Sequence, residues 1–455
     1  MLRGRAAGPG PPAAAASALR RRVRTVKGGV WGLIGLGITA GYLAALAALL
    51  FLLMAFLTEP LRLNPNMETA WILKIVDTEA PPPQQQQHKH GGKRHKVPKA
   101  ALENPWGLRY AHMGMLGALP NGSMVSFFQG SVEPIEGTAS QSLYWSTSHD
   151  EGKTWEAPSL FHRGGIPLWA PVFHAEAGRV WIFFATSNPN CRYYDKNKHA
   201  VRFSPGGDIV YMISDDSGGS WKGPHSVLKY ESGAGIPKVI ANKLTTTANG
   251  DWVLPFWREP GQTCPIHKHE TEPAKWVNGS AGVLVSPNQG LSWKAHGNLT
   301  NPDTWLLENT AVHLGNGELL QLFRSGAGAI FSSRSYDNGA TWSTPVPTAL
   351  PNPNSKIHME IAREGCIVLV YNHSEVSRNP LTVAISKDNG HHWSPVTHLE
   401  DEPTLQFAYP TLQVHGKNLL VIYTVMKKRA AMGTRPSLLM SVGIKVAKLP
   451  LSDIC

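Results

Sequence analysis

Residues 112–409 carry carboxylates, arginines and a tyrosine at comparable points of successive segments, and their types suit proton transfer on a polar ligand. His112, Trp169, Asn242 with Lys243, Glu308 with Asn309, the run 352–355 with His358, and Tyr409 each fall just before or at the start of an apolar run. Glu133, Glu136, Arg192, Glu259, Arg324, Tyr371 with Asn372, and Arg378 fall just after a second run in the same segments. A carboxyl group can move a proton. The forked donors of arginine match a carboxylate. Together they suit an anionic or heavily hydroxylated ligand. Each residue type also serves plain packing or ion pairing between strands, so everything depends on what brings them together.

A repeated turn does so. Ser335-Tyr-Asp-Asn-Gly-Ala-Thr-Trp342 follows the pattern Ser-x-Asp-x-Gly-x-Thr/Ser-Trp. Copies run from Ser148 to Trp155 and from Ser214 to Trp221. Ser286 to Trp293 has Asn288 in place of Asp, and Ser386 to Trp393 has His392 in place of the hydroxyl. Asp and Ser can bond turn amides, and Gly supplies a positive φ. Before each box lie short apolar strands joined by turns such as Asn121-Gly122 and Asn316-Gly317. Such spacing predicts four-stranded antiparallel units. With the box-less stretch 407–449 they make six, an all-β six-bladed β-propeller of four-stranded blades. Blade connectivity puts the boxes on the face opposite the variable loops. The boxes are therefore expected to be structural, and the candidate site residues are expected to converge near the axis on the other face.

The remaining sequence sets the context. The 455 residues carry a net charge of +11 with 15 tryptophans and four cysteines. Residues 1–27 hold seven basic residues and no acid, and a second basic cluster spans 88–99. Without these two stretches the chain is near neutral, so the charge gives no reason to expect a nucleic-acid partner for the globular part. Residues 28–58 are uncharged and apolar, long enough to span a bilayer with tilt. The expected layout is a basic cytoplasmic tail over 1–28, a transmembrane signal anchor over 29–57, a low-complexity stalk over 58–104 and the propeller over 105–455. By the positive-inside rule a single-pass type II topology is expected, with the propeller luminal or extracellular, and a short tail, one anchor and a stalk fit the Golgi or plasma membrane. Residues 69–76 are open to a short strand or helix.

Residues 106–450 resemble the sialidase (neuraminidase) superfamily, most closely its BNR-repeat, sialidase-like branch. The repeated boxes look like that superfamily's Asp boxes. The run 335–355, followed by Val370-Tyr-Asn-His-Ser374, is typical of the branch. The resemblance implies a glycoside hydrolase releasing terminal acidic sugars from glycans. Glu308 would be the catalytic glutamate, Arg324 and Arg378 carboxylate clamps, and Tyr409 the nucleophile. A sugar that bears its own carboxylate at the anomeric carbon repels a carboxylate nucleophile, whereas a phenol is neutral on approach and gives its proton to a neighbouring glutamate as it attacks. Two positions depart from the family. Its first clamp arginine sits in an Arg-Ile-Pro-like motif, but Arg109-Tyr-Ala-His-Met-Gly-Met115 places His112 there. Its acid/base aspartate lies in the first blade's loop, where Gln129 to Gly137 offers only Glu133 and Glu136. Two other functions stay open: a glycan-binding propeller without turnover, and a glycosidase or lyase acting on another acidic sugar.

Tyr371, Asn372, Glu259 and Lys243 are further candidates for the substrate pocket. Cys191 and Cys264 lie in equivalent insertions of adjacent units and are expected to form a disulfide. Cys366 and Cys455 have no evident partner. No cysteine and histidine spacing forms a metal site, and no cofactor is expected. Glycosylation sequons stand at Asn121, Asn278, Asn298 and Asn372.

Overall fold

The computed structural model describes residues 61–75, 104–196, 198–232, 235–259, 279–429 and 438–455. Among these residues the chain is almost entirely antiparallel β-sheet. One 3-10 turn, Leu451–Asp453, lies near the C-terminus. Strand β1 (Glu68–Lys74) is followed by β2 (Tyr110–Ala118), β3 (Met124–Ser131), β4 (Ser142–Ser148) and β5 (Ser159–His162). Next come β6 (Leu168–Glu176), β7 (Arg179–Ser187), a separate hairpin of β8 (Arg192–Asp195) and β9 (Ala200–Phe203), then β10 (Gly207–Ser214) and β11 (Lys222–Leu228). After the short β12 (Lys238–Val239) come β13 (Thr245–Thr246), β14 (Trp252–Arg258), β15 (Ser280–Ser286) and β16 (Lys294–Leu299). The next eight strands are β17 (Leu307–Gly315), β18 (Glu318–Arg324), β19 (Ala329–Ser335), β20 (Val346–Pro351), β21 (His358–Arg363), β22 (Cys366–Asn372), β23 (Leu381–Ser386) and β24 (Ser394–Glu400). The last three are β25 (Leu405–His415), β26 (Asn418–Arg429) and β27 (Leu438–Pro450).

The architecture is propeller-like. Four separate four-stranded sheets form: β2-β3-β4-β5, β17-β18-β19-β20, β21-β22-β23-β24 and β25-β26-β27-β1. The second and third units, expected as two separate sheets, instead share one nine-stranded sheet. Within it, β6-β7-β10-β11 and β13-β14-β15-β16 each keep the four-strand order, and β12 joins them. Lys238 pairs with both Gly207 and Arg258, so a two-residue strand stitches the inner ends together. Large apolar side chains fill the layers between units, with Phe127, Phe183, Trp252 and Phe256 fully buried.

The expected stalk over 58–104 is corrected within its described part. Glu68–Lys74 is the outer strand of the last sheet, with Glu68 opposite Lys448 and Lys74 opposite Gly443. The C-terminal unit supplies only three strands of its own, and its outer edge is left unpaired without a fourth. Buried Ile72 and Leu73 anchor β1. A second fastening lies nearby: a disulfide joins Cys366 on β22 to Cys455 at the chain end. The anchor expected over 29–57 lies outside the described residues. Among those described, no helix is long and apolar enough to cross a membrane.

The boxes take the structural role expected of them. Each follows the third strand of its unit. In the copy after β10, Ser220 donates from both its backbone N–H (2.8 Å) and its hydroxyl (2.7 Å) to the Asp216 carboxylate, and Ser214 Oγ accepts from Gly218 N at 2.8 Å. Asp150, Asp337 and Asp388 repeat the carboxylate contacts, and Asn288 substitutes its amide in the same geometry. First strands start, and second strands end, at the opposite pole from these turns.

Candidate active site

The polar residues at that opposite pole are aimed by an irregularity shared by four innermost strands. In β2, β6, β17 and β25, two residues face one on the neighbouring strand. The first of each pair has left-handed backbone: Met113 (φ 59°), Ala170 (φ 47°), Glu308 (φ 48°) and Tyr409 (φ 59°). A β-bulge turns a side chain away from the pleat's alternation. A non-glycine residue held left-handed costs ~1–3 kcal/mol and persists where its surroundings enforce it. Buried amides and an ammonium supply that enforcement. Asn242 Nδ2 contacts the carbonyls of Glu308 (2.9 Å), Asn309 (3.1 Å) and Ile357 (3.1 Å). Lys356 Nζ donates to the Pro410 carbonyl at 2.6 Å, and Asn372 Nδ2 to that of Phe407 at 2.9 Å. Ala170 N donates to Gln129 Oε1 at 2.9 Å.

Glu308, Arg324 and Tyr409 meet. Leu307 pairs with Arg324 across β17 and β18, which sets Glu308 beside the guanidinium. Arg324 Nη1 donates to Glu308 Oε2 at 2.7 Å and also to the Tyr409 hydroxyl oxygen. Its Nε donates to Asn354 Oδ1 at 2.7 Å. Arg378 reaches the same place from the β22–β23 loop, its guanidinium 5.4 Å from the centre of the Tyr409 ring. That loop is fixed to β25 by Phe407 N donating to Arg378 O at 2.7 Å. His112 packs against the phenol ring, with ring centres 4.0 Å apart and planes tilted by 55°. A hydrogen bond of 2.9 Å joins His112 Nδ1 to Thr424 Oγ1.

The electrostatics follow from burial among cations. Burial drives the Tyr409 phenol well above its ordinary range, while Arg324 and Arg378 oppose that and Glu308 adds to it. Proton removal from Tyr409 therefore needs an adjacent acceptor, and Arg324 is already bonded to the phenol oxygen. Burial lowers the acidity range of His112, with Arg378, Arg324 and Lys356 adding to the effect, so its imidazole is neutral. Burial works against the Arg324 charge, but Glu308 and Tyr409 outweigh it and hold the guanidinium charged. Glu259 is only 8% exposed, and burial pushes its carboxyl up to about 7. The Trp257 indole donates to its Oε1 at 2.7 Å.

Set beside known proteins, the chain has a clear place. The family model for the BNR repeat-like domain matches residues 161–422. The chain belongs to the BNR repeat-like family of the sialidase superfamily. A curated sialidase of Paraclostridium sordellii is 21% identical over 260 residues, covering 53% of this chain and 59% of that relative. The chain thus spans under two thirds of that relative's length. Among solved structures, Trypanosoma rangeli sialidase in complex with sialic acid superposes with a TM-score of 0.59 at 14% identity, covering 86% of this chain and 60% of the other. A Hadza microbial sialidase gives 0.57 at 15% identity, covering 76% and 66%. A protein of unknown function from Dyadobacter fermentans gives 0.60 at 14% identity, covering 85% of this chain and all of the other. At these identities the likeness is one of fold.

Within this BNR repeat-like fold, the residues singled out from sequence separate into two groups. Glu308, Arg324, Arg378, Tyr409 and His112 come together, and Glu136 and Glu259 lie within their electrostatic reach. The others do not join them. Glu133 is exposed and bonds Thr138 and Ser140 of its own loop. Lys243 spends its ammonium on Leu412 O, Gln413 Oε1 and Glu360. Tyr371 is fully buried in the core with its hydroxyl bonded to His373 Nδ1, and Asn372 is fully buried as a bulge clamp. Their placement in a pocket wall is therefore corrected: along β22, both side chains lie inside packed layers. Arg109 stays exposed at the strand start. Asn121 and Asn298 are exposed sequons, whereas burial bars a glycan from Asn372. Cys191 is disulfide-bonded; Cys264, its expected partner, lies outside the described residues, as does Asn278.

Several site residues gave no sequence signal of their own. Tyr110 and Gln129 both bond Glu136 Oε1 at 2.8 Å, which fixes that carboxylate against the first sheet. Lys356 is hidden in an unremarkable loop. Only the shared bulge, invisible in residue types, marks what these groups support.

Proposed function

We propose that this chain is a retaining exo-glycosidase of the sialidase type that releases a terminal acidic sugar through a tyrosyl intermediate. One observation carries the reading: a single arginine nitrogen bonds both the Glu308 carboxylate and the Tyr409 phenol. The sugar carboxylate would lie on Arg378 and Arg324, with His112 supplying a neutral imidazole where relatives of this type are expected to have a third arginine. Tyr409 Oη would bond to the anomeric carbon as the glycosidic C–O bond breaks, and Glu308 would take the phenolic proton. Water would then release the sugar with its original anomeric configuration. We count β6-β7-β10-β11 and β13-β14-β15-β16 as the second and third of six blades, which puts the site on the axis. We further propose that residues 29–57 anchor the chain in a Golgi or plasma membrane, with the site facing the lumen or exterior. Protease protection of the propeller in sealed vesicles would support that arrangement.

A test of the reaction needs only purified protein and a panel of acidic glycosides. Wild type should turn over at least one of them with retention by NMR. Tyr409→Phe should lose ~10³-fold or more in kcat while sugar binding survives, as expected for removal of an interaction made only in the transition state. The absence of turnover by wild type across the panel defeats the proposal.

The replacement of an arginine by His112 favours a second reading, a lectin-like propeller. Retained binding without any wild-type turnover is its signature.

A further inference from the structure

We propose that Glu259 is the proton donor and acceptor of this site, a role that no residue of the first-blade loop fills. The proposal rests on the glycosidase reading above and names the group which that mechanism leaves unassigned.

Glu259 follows β14 directly, at the pole where β18 delivers Arg324. Its backbone N–H donates to Pro237 O at 2.9 Å, which fixes the main chain. The Trp257 indole holds Oε1, and Trp257 packs in one apolar cluster with Trp169, Met113, Phe323 and Tyr409. The carboxyl is thus fastened to the same floor as the phenol. The ionisable groups in its electrostatic reach are Glu308, Arg324, Glu136 and Tyr193.

The other carboxylates are committed. Glu308 is ion-paired with Arg324 at 2.7 Å. Glu136 accepts hydrogen bonds from both the Tyr110 hydroxyl and the Gln129 amide on one oxygen. Glu133 is tied back to its own loop in solvent. Among the described carboxylates at this pole, Glu259 combines burial, a hydrogen bond to a neutral donor, and two nearby carboxylates that disfavour a further negative charge, against which Arg324 acts. Burial, aided by Glu308 and Glu136 and opposed by the indole and Arg324, raises it to about 7, where a carboxyl can donate and take back a proton at neutral pH.

The chemistry balances. In the first step the protonated Glu259 carboxyl gives its proton to the glycosidic oxygen as that C–O bond breaks and the Tyr409–carbon bond forms. In the second, the Glu259 carboxylate takes a proton from water as the water oxygen bonds to the anomeric carbon, and Tyr409 departs, taking back from Glu308 the proton it gave up in the first step.

The experiment compares Glu259→Gln with Glu136→Gln on two acidic glycosides, one with an alkyl leaving group and one with 4-nitrophenol. Gln retains an oxygen for the Trp257 indole, and circular dichroism checks folding. A lost proton donor should cut glycosylation of the alkyl substrate ~10²–10⁴-fold. The burst of 4-nitrophenol, which leaves without a proton, should persist. Glu259→Gln should also abolish the alkaline limb of kcat/KM near neutrality. Equal losses on both substrates, an unchanged alkaline limb, or the same pattern in Glu136→Gln alone would overturn the assignment. Those outcomes require an active wild type, so they differ from the inactive wild type that would sink the glycosidase reading and this role with it.

Discussion

Glu308 and Tyr409 occupy the same place in two different innermost strands: each is the first residue of a two-to-one bulge, with left-handed backbone. The irregularity lifts both side chains out of the pleat and brings them to one guanidinium. The cost of the two strained residues, ~1–3 kcal/mol each, is met by buried clamps. The site is therefore a property of strand defects and of what holds them.

Removing a clamp should loosen the site before it unfolds the protein. Asn242→Ala leaves the two bulge carbonyls of Glu308 and Asn309, and that of Ile357, without this donor, for a loss of ~1–3 kcal/mol. Lys356→Met does the same to the Pro410 carbonyl beside Tyr409. Each variant should show a lowered thermal midpoint together with a fall in kcat at little change in KM. A stability loss with kcat intact would show that the bulges need no clamp.

The boxes should affect folding, not chemistry. The Asp150 carboxyl is lowered to about 2 chiefly by the Thr154 hydroxyl and amide, and Asp216 to about 2 chiefly by the Ser214 hydroxyl and then Ser220. A depressed carboxyl contributes stability that is full above its unfolded value, about 3.9, and is lost as pH falls through the folded value. Asp216→Asn should therefore lower stability at pH 7 and narrow the gap to wild type between about pH 4 and 2. Acid titrations followed by circular dichroism read this directly. Turnover per folded molecule should be unchanged.

The last sheet should depend on two fastenings distant in sequence. The Cys366–Cys455 bridge spans 89 residues of sequence. Cys455→Ser should cost ~2–5 kcal/mol, the usual loss for such a bridge. Reductant should lower the thermal midpoint of wild type by more than that of the variant, which keeps only the Cys191 bridge to lose. Deleting residues through Lys74, which removes β1, should expose the edge of β27 and promote association seen by light scattering.

The sequence alone determined the repeat, and through it much else. Ser-x-Asp-x-Gly boxes are local turns whose hydrogen bonds lie within a few residues, so their spacing declared the β-units and the face on which Glu308, Arg324, Arg378 and Tyr409 would gather. Tertiary structure decided the rest. The pattern over residues 69–76 leaves strand and helix equally open, and only the unpaired edge of β27 decides for a strand. The link through β12 between the second and third units depends on pairing of Lys238 with two strands far apart in sequence. Tyr371, Asn372 and Lys243 have the right types at the right ends of strands, yet burial turned them into core and clamps. Glu259 gained its distinctive chemistry the same way: its residue type is ordinary, and desolvation beside Trp257, Glu308 and Glu136 is a property of what surrounds it in space.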